Sequence, residues 1–148
     1  MTHATTQNRM PQGAALAALY VHWPFCKKKC PYCDFNSHVR EGVDHAAWRA
    51  ALLRELGYWH ARAPEMTISS IFFGGGTPSL LSPAALNRLL LALHARLKIN
   101  PDAEITLEAN PGTFEKDRFK AFRAAGVTRL SIGVQSFNDA HLKALGRV

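Results

Sequence analysis

Cys26, Cys30 and Cys33 stand in the segment Trp23-Pro24-Phe25-Cys26-Lys27-Lys28-Lys29-Cys30-Pro31-Tyr32-Cys33, spaced C-x3-C-x2-C, and are the only cysteines in the chain. Three thiolates on one short loop can hold three irons of a four-iron cluster and leave the fourth iron open to a ligand, as a catalytic zinc keeps one position free. Zinc is the other reading of these residues. It needs a fourth ligand, which His22 or His38 could supply. The x3-then-x2 spacing is less usual for zinc than paired C-x2-C knuckles, which favours the cluster. An odd cysteine count argues against a closed disulfide framework and for a reducing compartment, so a cytoplasmic location is expected. Lys27, Lys28 and Lys29 put three cations inside the loop. They would favour thiolates and attract an acidic electron carrier; the plainer reading is that they face water.

Three further groups of residues stand out. Gly74-Gly75-Gly76-Thr77-Pro78-Ser79 is either a tight strand-to-helix turn or a place where backbone amides approach a ligand closely. It is not a phosphate-binding P-loop, because no lysine follows at the required place. Glu108 interrupts an otherwise apolar stretch, Ile105 to Ala109. Turned inward, its carboxylate needs a partner; turned outward, it is a solvated strand end. Gln135 and Ser136 close another apolar stretch, where amides often satisfy only backbone groups. Among the histidines His22 is set apart, four residues before Cys26, and is the one candidate for a catalytic role. His45, His60, His94 and His141 fall on helical stretches and read as surface residues.

The elements that must position these residues repeat a strand–helix unit. Leu19 to Trp23 alternates and is β-prone, and Pro24 ends it. After the cysteine loop a helix is expected from Asp44, a capping residue, to about Ala63, with Trp48, Leu52, Leu56 and Trp59 as its core stripe. A second strand, Thr67 to Phe73, leads into the glycine run. Ser82 then caps a helix with Pro83 at its first position and Leu86, Leu89, Leu90, Leu93 and Leu97 buried. Pro101 is expected to break the chain before a third strand from Glu104 to Ala109. Thr113 is expected to cap a helix that turns Phe119 and Phe122 inward and ends at Gly126. A fourth strand follows, Val127 to Gln135, and Asn138 starts a short helix ending near Gly146.

Four β-loop-α units in succession imply an α/β fold of parallel repeats. The cysteines, the glycine run, Glu108 and Gln135 all fall at carboxyl ends of strands, the edge on which parallel sheets and barrels build sites. Four units are too few to close a barrel of eight strands. The expectation is therefore an incomplete barrel: residues 1–18 as a loose leader, and 19–148 as the amino-terminal part of a longer domain.

Composition sets outer bounds. The chain has 148 residues, 47% hydrophobic and 20% charged, which is globular and long enough for a real core. No apolar run reaches the roughly 18 residues of a membrane span, so an integral membrane protein is not expected. The net charge is +7, but the arginines and lysines are scattered, and no nucleic-acid partner is expected.

The four motifs, in this order and spacing, resemble the radical S-adenosylmethionine (SAM) superfamily. The first is Tyr20-Val21-His22-Trp23-Pro24-Phe25-Cys26-x3-Cys30-Pro31-Tyr32-Cys33. Gly74-Gly75-Gly76-Thr77-Pro78-Ser79, Glu108-Ala109-Asn110-Pro111 and Gly133-Val134-Gln135-Ser136-Phe137 follow it. They are those of the branch that contains oxygen-independent coproporphyrinogen III oxidase and the HemW group of heme chaperones. The resemblance implies a radical SAM partial TIM barrel, a [4Fe-4S] cluster on Cys26, Cys30 and Cys33, and SAM on the open iron. An electron from such a cluster breaks the sulfonium carbon–sulfur bond and yields a 5′-deoxyadenosyl radical. Tyr20, Tyr32, Gly75 and Glu108 match positions at the SAM site. Gly76, Thr77, Gln135 and Arg147 match positions that touch a second SAM in the oxidase. The oxidase typically continues with a fourth cysteine two residues after the third. Here that residue is Phe35, and the run Cys33-Asp34-Phe35-Asn36-Ser37 resembles the chaperones. The resemblance therefore implies heme as bound cargo, heme-accepting enzymes as partners and an acidic donor such as flavodoxin or ferredoxin.

Overall fold

A computed structural model describes residues 15–111 and 115–147. Strand β1 (Leu16–Trp23) is followed by two short strands, β2 (Phe25–Cys26) and β3 (His38–Val39), which pair with each other around the cysteine loop. Helix α1 (His45–His60), strand β4 (Thr67–Gly75), a 3-10 turn (Pro78–Leu80) and helix α2 (Pro83–His94) come next. Strand β5 (Lys98–Ala109), helix α3 (Glu115–Ala124), strand β6 (Arg129–Ile132) and helix α4 (Asp139–Ala144) complete the order. One sheet runs β1-β4-β5-β6 with every neighbouring pair parallel. This is the expected α/β architecture of parallel repeats.

Period-two alternation divides the sheet. Val21 and Trp23, Ile71 and Phe73, and Ile105 and Leu107 form the core with the leucine stripe of α2 and with Phe122 of α3. Leu86, Leu89, Leu90 and Leu93 are all buried, and Ser82 caps α2 by accepting the Ala85 N–H at 3.1 Å. The intervening residues Tyr20, His22, Phe72, Gly74, Thr106 and Glu108 belong to the opposite face.

Several boundaries differ from expectation. Strand β1 begins at Leu16, inside the expected leader, and Ala15 O accepts the Thr67 N–H at 3.0 Å. Pro101 lies within β5 and does not end the chain's extended path. The register with β4 jumps from Ile68↔Ile99 to Ser70↔Glu104, so Pro101 occupies a bulge where no ladder donor is required. Asn100 Oδ1 closes that bulge by accepting the Asp102 N–H at 2.9 Å. Strand β6 stops at Ile132, short of Gln135, because Val134 N turns back to Ile132 O at 3.0 Å and Gln135 takes φ 67°. Trp48, Leu52 and Leu56 pack on the core as expected, but Trp59 is 58% exposed and donates to Glu55 Oε1 across one helical turn. His45 is half-buried, with its ring 5.5 Å from that of Trp23, whereas the surface was expected. Thr113 lies outside the described residues.

Candidate functional site

The sheet register gathers the unusual residues at one edge. His22 stands opposite Gly74 and Trp23 opposite Gly75, at the ends of β1 and β4. Glu108 stands opposite Ser131 at the ends of β5 and β6. A cleft of about 170 Å³ opens there, lined by Phe35, the Gly75–Gly76–Thr77 turn, Glu108, Asn110, Gly133 and Gln135.

The cysteine loop is closed by β2 and β3: His38 N donates to Pro24 O at 2.7 Å, and Cys33 N donates to Cys30 O at 3.0 Å. Cys26 is buried, and Cys30 and Cys33 are half-buried. Each sulfur has a polar neighbour. The Thr77 hydroxyl donates to Cys26 Sγ at 3.5 Å, and Arg147 Nη1 donates to Cys30 Sγ at 3.6 Å. Cys33 Sγ and the buried Ser37 Oγ lie 3.6 Å apart. Donors aimed at Cys26 and Cys30, and a hydroxyl able to donate beside Cys33, suit thiolates, which only accept. Lys27, Lys28 and Lys29 are all exposed, and Lys29 Nζ donates to Ser37 O at 3.3 Å.

The glycine run is set by close backbone approach. A Cβ on Gly76 would come within 2.7 Å of Phe25 O and 3.0 Å of Cys26 Sγ. Gly75 has φ +115°, and a Cβ there would meet the His22 ring at 2.7 Å. Its N–H is held by Glu108, whose Oε2 accepts at 3.0 Å. The Glu108 side chain thus belongs to the site, with a backbone amide as its partner.

His22 Nε2 donates to Asn36 O at 3.0 Å, which leaves Nδ1 to accept from the Tyr20 hydroxyl at 3.3 Å. Burial, and then the nearby Glu108 carboxylate, hold the Tyr20 phenol above its usual pKa, so it keeps its proton as a donor. Tyr32 is 45% exposed on the loop, and Phe35 is 59% exposed at the rim of the cleft.

Residues 20–148 match the Radical SAM superfamily. The chain belongs to that superfamily. It is 54% identical over 132 residues to the heme chaperone HemW of Escherichia coli (strain K12), covering 88% of this chain and 35% of that protein. It is 48% identical over 135 residues to the mitochondrial radical S-adenosyl methionine domain-containing protein 1 of Bos taurus, covering 91% of this chain and 30% of that protein. Among solved structures it resembles coproporphyrinogen III oxidase (HemN) from Escherichia coli, a radical SAM enzyme, with a TM-score of 0.83 and 35% identity over 95% of this chain and 32% of that one. The chain spans about a third of the length of these relatives.

This radical SAM chain therefore carries the expected partial-barrel repeats, and Gly75, Gly76, Thr77, Glu108, Asn110, Gly133 and Gln135 line one cleft. Arg147 crosses from beyond α4 to reach Cys30, Asn110 Oδ1 at 3.1 Å and Gly133 O at 2.6 Å. Gln135 lines the cleft near Gly133, whose added Cβ would stand 3.0 Å from Gln135 Nε2. The zinc alternative finds no support. Among the described residues no three His, Cys, Asp or Glu are grouped to hold one metal ion. His22 is engaged by Asn36, and His38 is exposed. A four-iron cluster takes one iron per thiolate, so its ligands surround a body and do not converge on a point. No described helix is long and apolar enough to cross a membrane. Two site residues escaped the sequence reading. Asn110 lies within the Glu108-Ala109-Asn110-Pro111 motif and Ser37 within the run after Cys33, but the sequence carries no sign of what either faces.

Proposed function

We propose that this chain forms the cluster and SAM-binding portion of a radical SAM heme chaperone that delivers heme to heme-accepting enzymes. Cys26, Cys30 and Cys33 would hold a [4Fe-4S] cluster. The observation that carries this reading is the set of polar partners from Thr77, Arg147 and Ser37, one beside each sulfur. The Gly76 cradle, with no room for a Cβ beside Cys26 Sγ, fits the same group. When bound, such a cluster supplies the electron that cleaves the carbon–sulfur bond of SAM.

The chain's own residues would bind and orient the ligands. Gly75, held by Glu108, would present backbone to the methionyl end of SAM, while Tyr20 and Tyr32 would flank it. Gly76, Thr77, Gln135 and Arg147 would line the rest of the cleft. His22, hydrogen-bonded to Asn36 O and the Tyr20 hydroxyl, would keep the loop seated. Exposed Lys27 and Lys28 would meet an acidic electron donor such as flavodoxin or ferredoxin.

Heme delivery is supported by the chaperone relative at 54% identity and by Phe35 in place of a fourth cysteine. Coproporphyrinogen III oxidation is the second reading, favoured by the solved oxidase at 35% identity and by the retained Gly76, Thr77, Gln135 and Arg147. The test uses the full-length protein, loaded anaerobically with iron and sulfide. Heme transfer to an apo heme enzyme, with no protoporphyrinogen formed from coproporphyrinogen III, SAM and a reductant, is expected. Formation of protoporphyrinogen would establish the oxidase instead.

A further inference from the structure

Asn110 follows β5, two residues beyond Glu108, and its side-chain amide lies between the Arg147 guanidinium, which only donates, and the Thr77 hydroxyl, which can donate or accept. Arg147 Nη2 donates to Asn110 Oδ1 at 3.1 Å. A guanidinium has donors only, so the amide oxygen must face Arg147. The NH2 end therefore faces Thr77, and Nδ2 donates to Thr77 Oγ1 at 3.3 Å. A hydroxyl has a single proton. With the oxygen engaged as acceptor by Asn110, that proton is directed to Cys26 Sγ, 3.5 Å away. The same arginine donates from Nη1 to Cys30 Sγ at 3.6 Å and is anchored on Gly133 O at 2.6 Å. Donor direction thus runs one way, from Arg147 through Asn110 and Thr77 to Cys26. The path links two sulfurs of the loop through residues that follow β4, β5 and α4.

We propose that Asn110 is a positioning residue: it compels the Thr77 hydroxyl to donate to the Cys26 sulfur and so raises the reduction potential of the cluster that this sulfur holds. The proposal rests on the reading of Cys26 as a cluster ligand. A hydrogen bond to a ligating sulfur withdraws negative charge and favours the reduced, more negative state. The amide is needed for its two ends. An acceptor-only side chain in its place would draw the Thr77 proton to itself and away from Cys26.

Asn110→Asp makes that change with almost no change of shape. Its added charge also lowers the potential, so its effect is read against Thr77 in a double-mutant cycle. Parent, Asn110→Asp, Thr77→Val and the double variant of the full-length protein are loaded anaerobically with iron and sulfide. Iron content and visible absorbance are measured first, and potentials follow by redox titration monitored by electron paramagnetic resonance. A parent that holds no cluster defeats the proposed function itself. With the parent loaded, both single variants are expected at more negative potentials. The Asn110→Asp shift should be clearly smaller in the Thr77→Val background, where only its charge remains. Equal Asn110→Asp shifts in the two backgrounds would overturn the proposal, as would an unchanged potential in Thr77→Val. Should Asn110→Asp fail to load, Asn110→Leu takes its place in the cycle with the same expected coupling. Should neither load, Thr77→Ser against Thr77→Val decides the donor step: the serine is expected to keep the parent potential, and equal potentials overturn the proposal.

Discussion

Glu108 Oε2 accepts the backbone N–H of Gly75 at 3.0 Å, so a carboxylate at the end of one strand fastens the last residue of its neighbour. Gly75 is the last residue of β4, at φ +115°, and its N–H needs an acceptor. Glu108 supplies one from 33 residues away. The carboxylate therefore shapes the glycine turn as well as lining the cleft, and the two motifs act as one unit.

Replacing Glu108 tests that unit. A hydrogen bond to a charged acceptor contributes about 1.5–3 kcal/mol, or roughly tenfold to a hundredfold in an equilibrium constant. Glu108→Ala is expected to weaken SAM binding to the cluster-loaded protein by about that factor, with iron content unchanged. Glu108→Gln, which keeps an oxygen for Gly75, should lose less. Calorimetric titration of SAM into each variant measures it, and equal losses in both would mean that charge alone matters.

Gly76→Ala probes the seat of the cysteine loop. The new Cβ would press on Phe25 O at 2.7 Å and Cys26 Sγ at 3.0 Å, both on a buried segment with little freedom to give. Overpacking of this kind costs about 1–3 kcal/mol. Urea unfolding of the full-length protein should show that loss, together with reduced iron uptake. An unchanged midpoint with full iron content would show that the loop yields easily.

What could be read in advance divides along a physical line. The caps at Asp44 and Ser82 and the leucine stripe of α2 rest on local signals, and the structure has them where expected. Pro101 misled because a bulge tolerates proline, and bulges follow from pairing with a distant strand, not from the residues themselves. Trp59 misled because α1 turns its last turn off the core. Cys26, Gly76 and Glu108 were legible as motifs within contiguous runs. Asn110 and Ser37 gained their tasks only from what faces them across the strand ends, and a single sequence does not carry that geometry.

The cap of α1 gives a pH dependence. Asp44 Oδ1 accepts the N–H groups of Ala46 and Ala47, at 2.9 and 3.0 Å, and the Ala47 bond first, then that of Ala46, lowers its pKa below the usual carboxylate value. A carboxylate with a lowered folded-state pKa contributes stability that is present above its unfolded value and lost as pH falls through the folded one. Asp44→Asn keeps the capping oxygen but does not titrate. The parent should therefore lose stability relative to Asp44→Asn between about pH 5 and pH 3, measured by urea midpoints. A constant difference across that range would remove the charged cap from the account.

Cys30→Ala bears on the whole site, because it removes one thiolate while leaving the fold's core untouched. Cys30 is only half-buried, and its neighbours include the exposed Pro31 and Tyr32, so truncation opens no sealed cavity. The thermal midpoint of the metal-free protein should stay within a few degrees of the parent, as for a surface substitution of about 0.5 kcal/mol. Iron content after anaerobic loading should fall to background, since two thiolates remain where three are needed. Arg147 loses its sulfur partner but keeps Asn110 and Gly133, so its position should hold. A Cys30→Ala protein that takes up four irons would mean that another side chain completes the ligand set, and the assignment of the three cysteines would have to be abandoned.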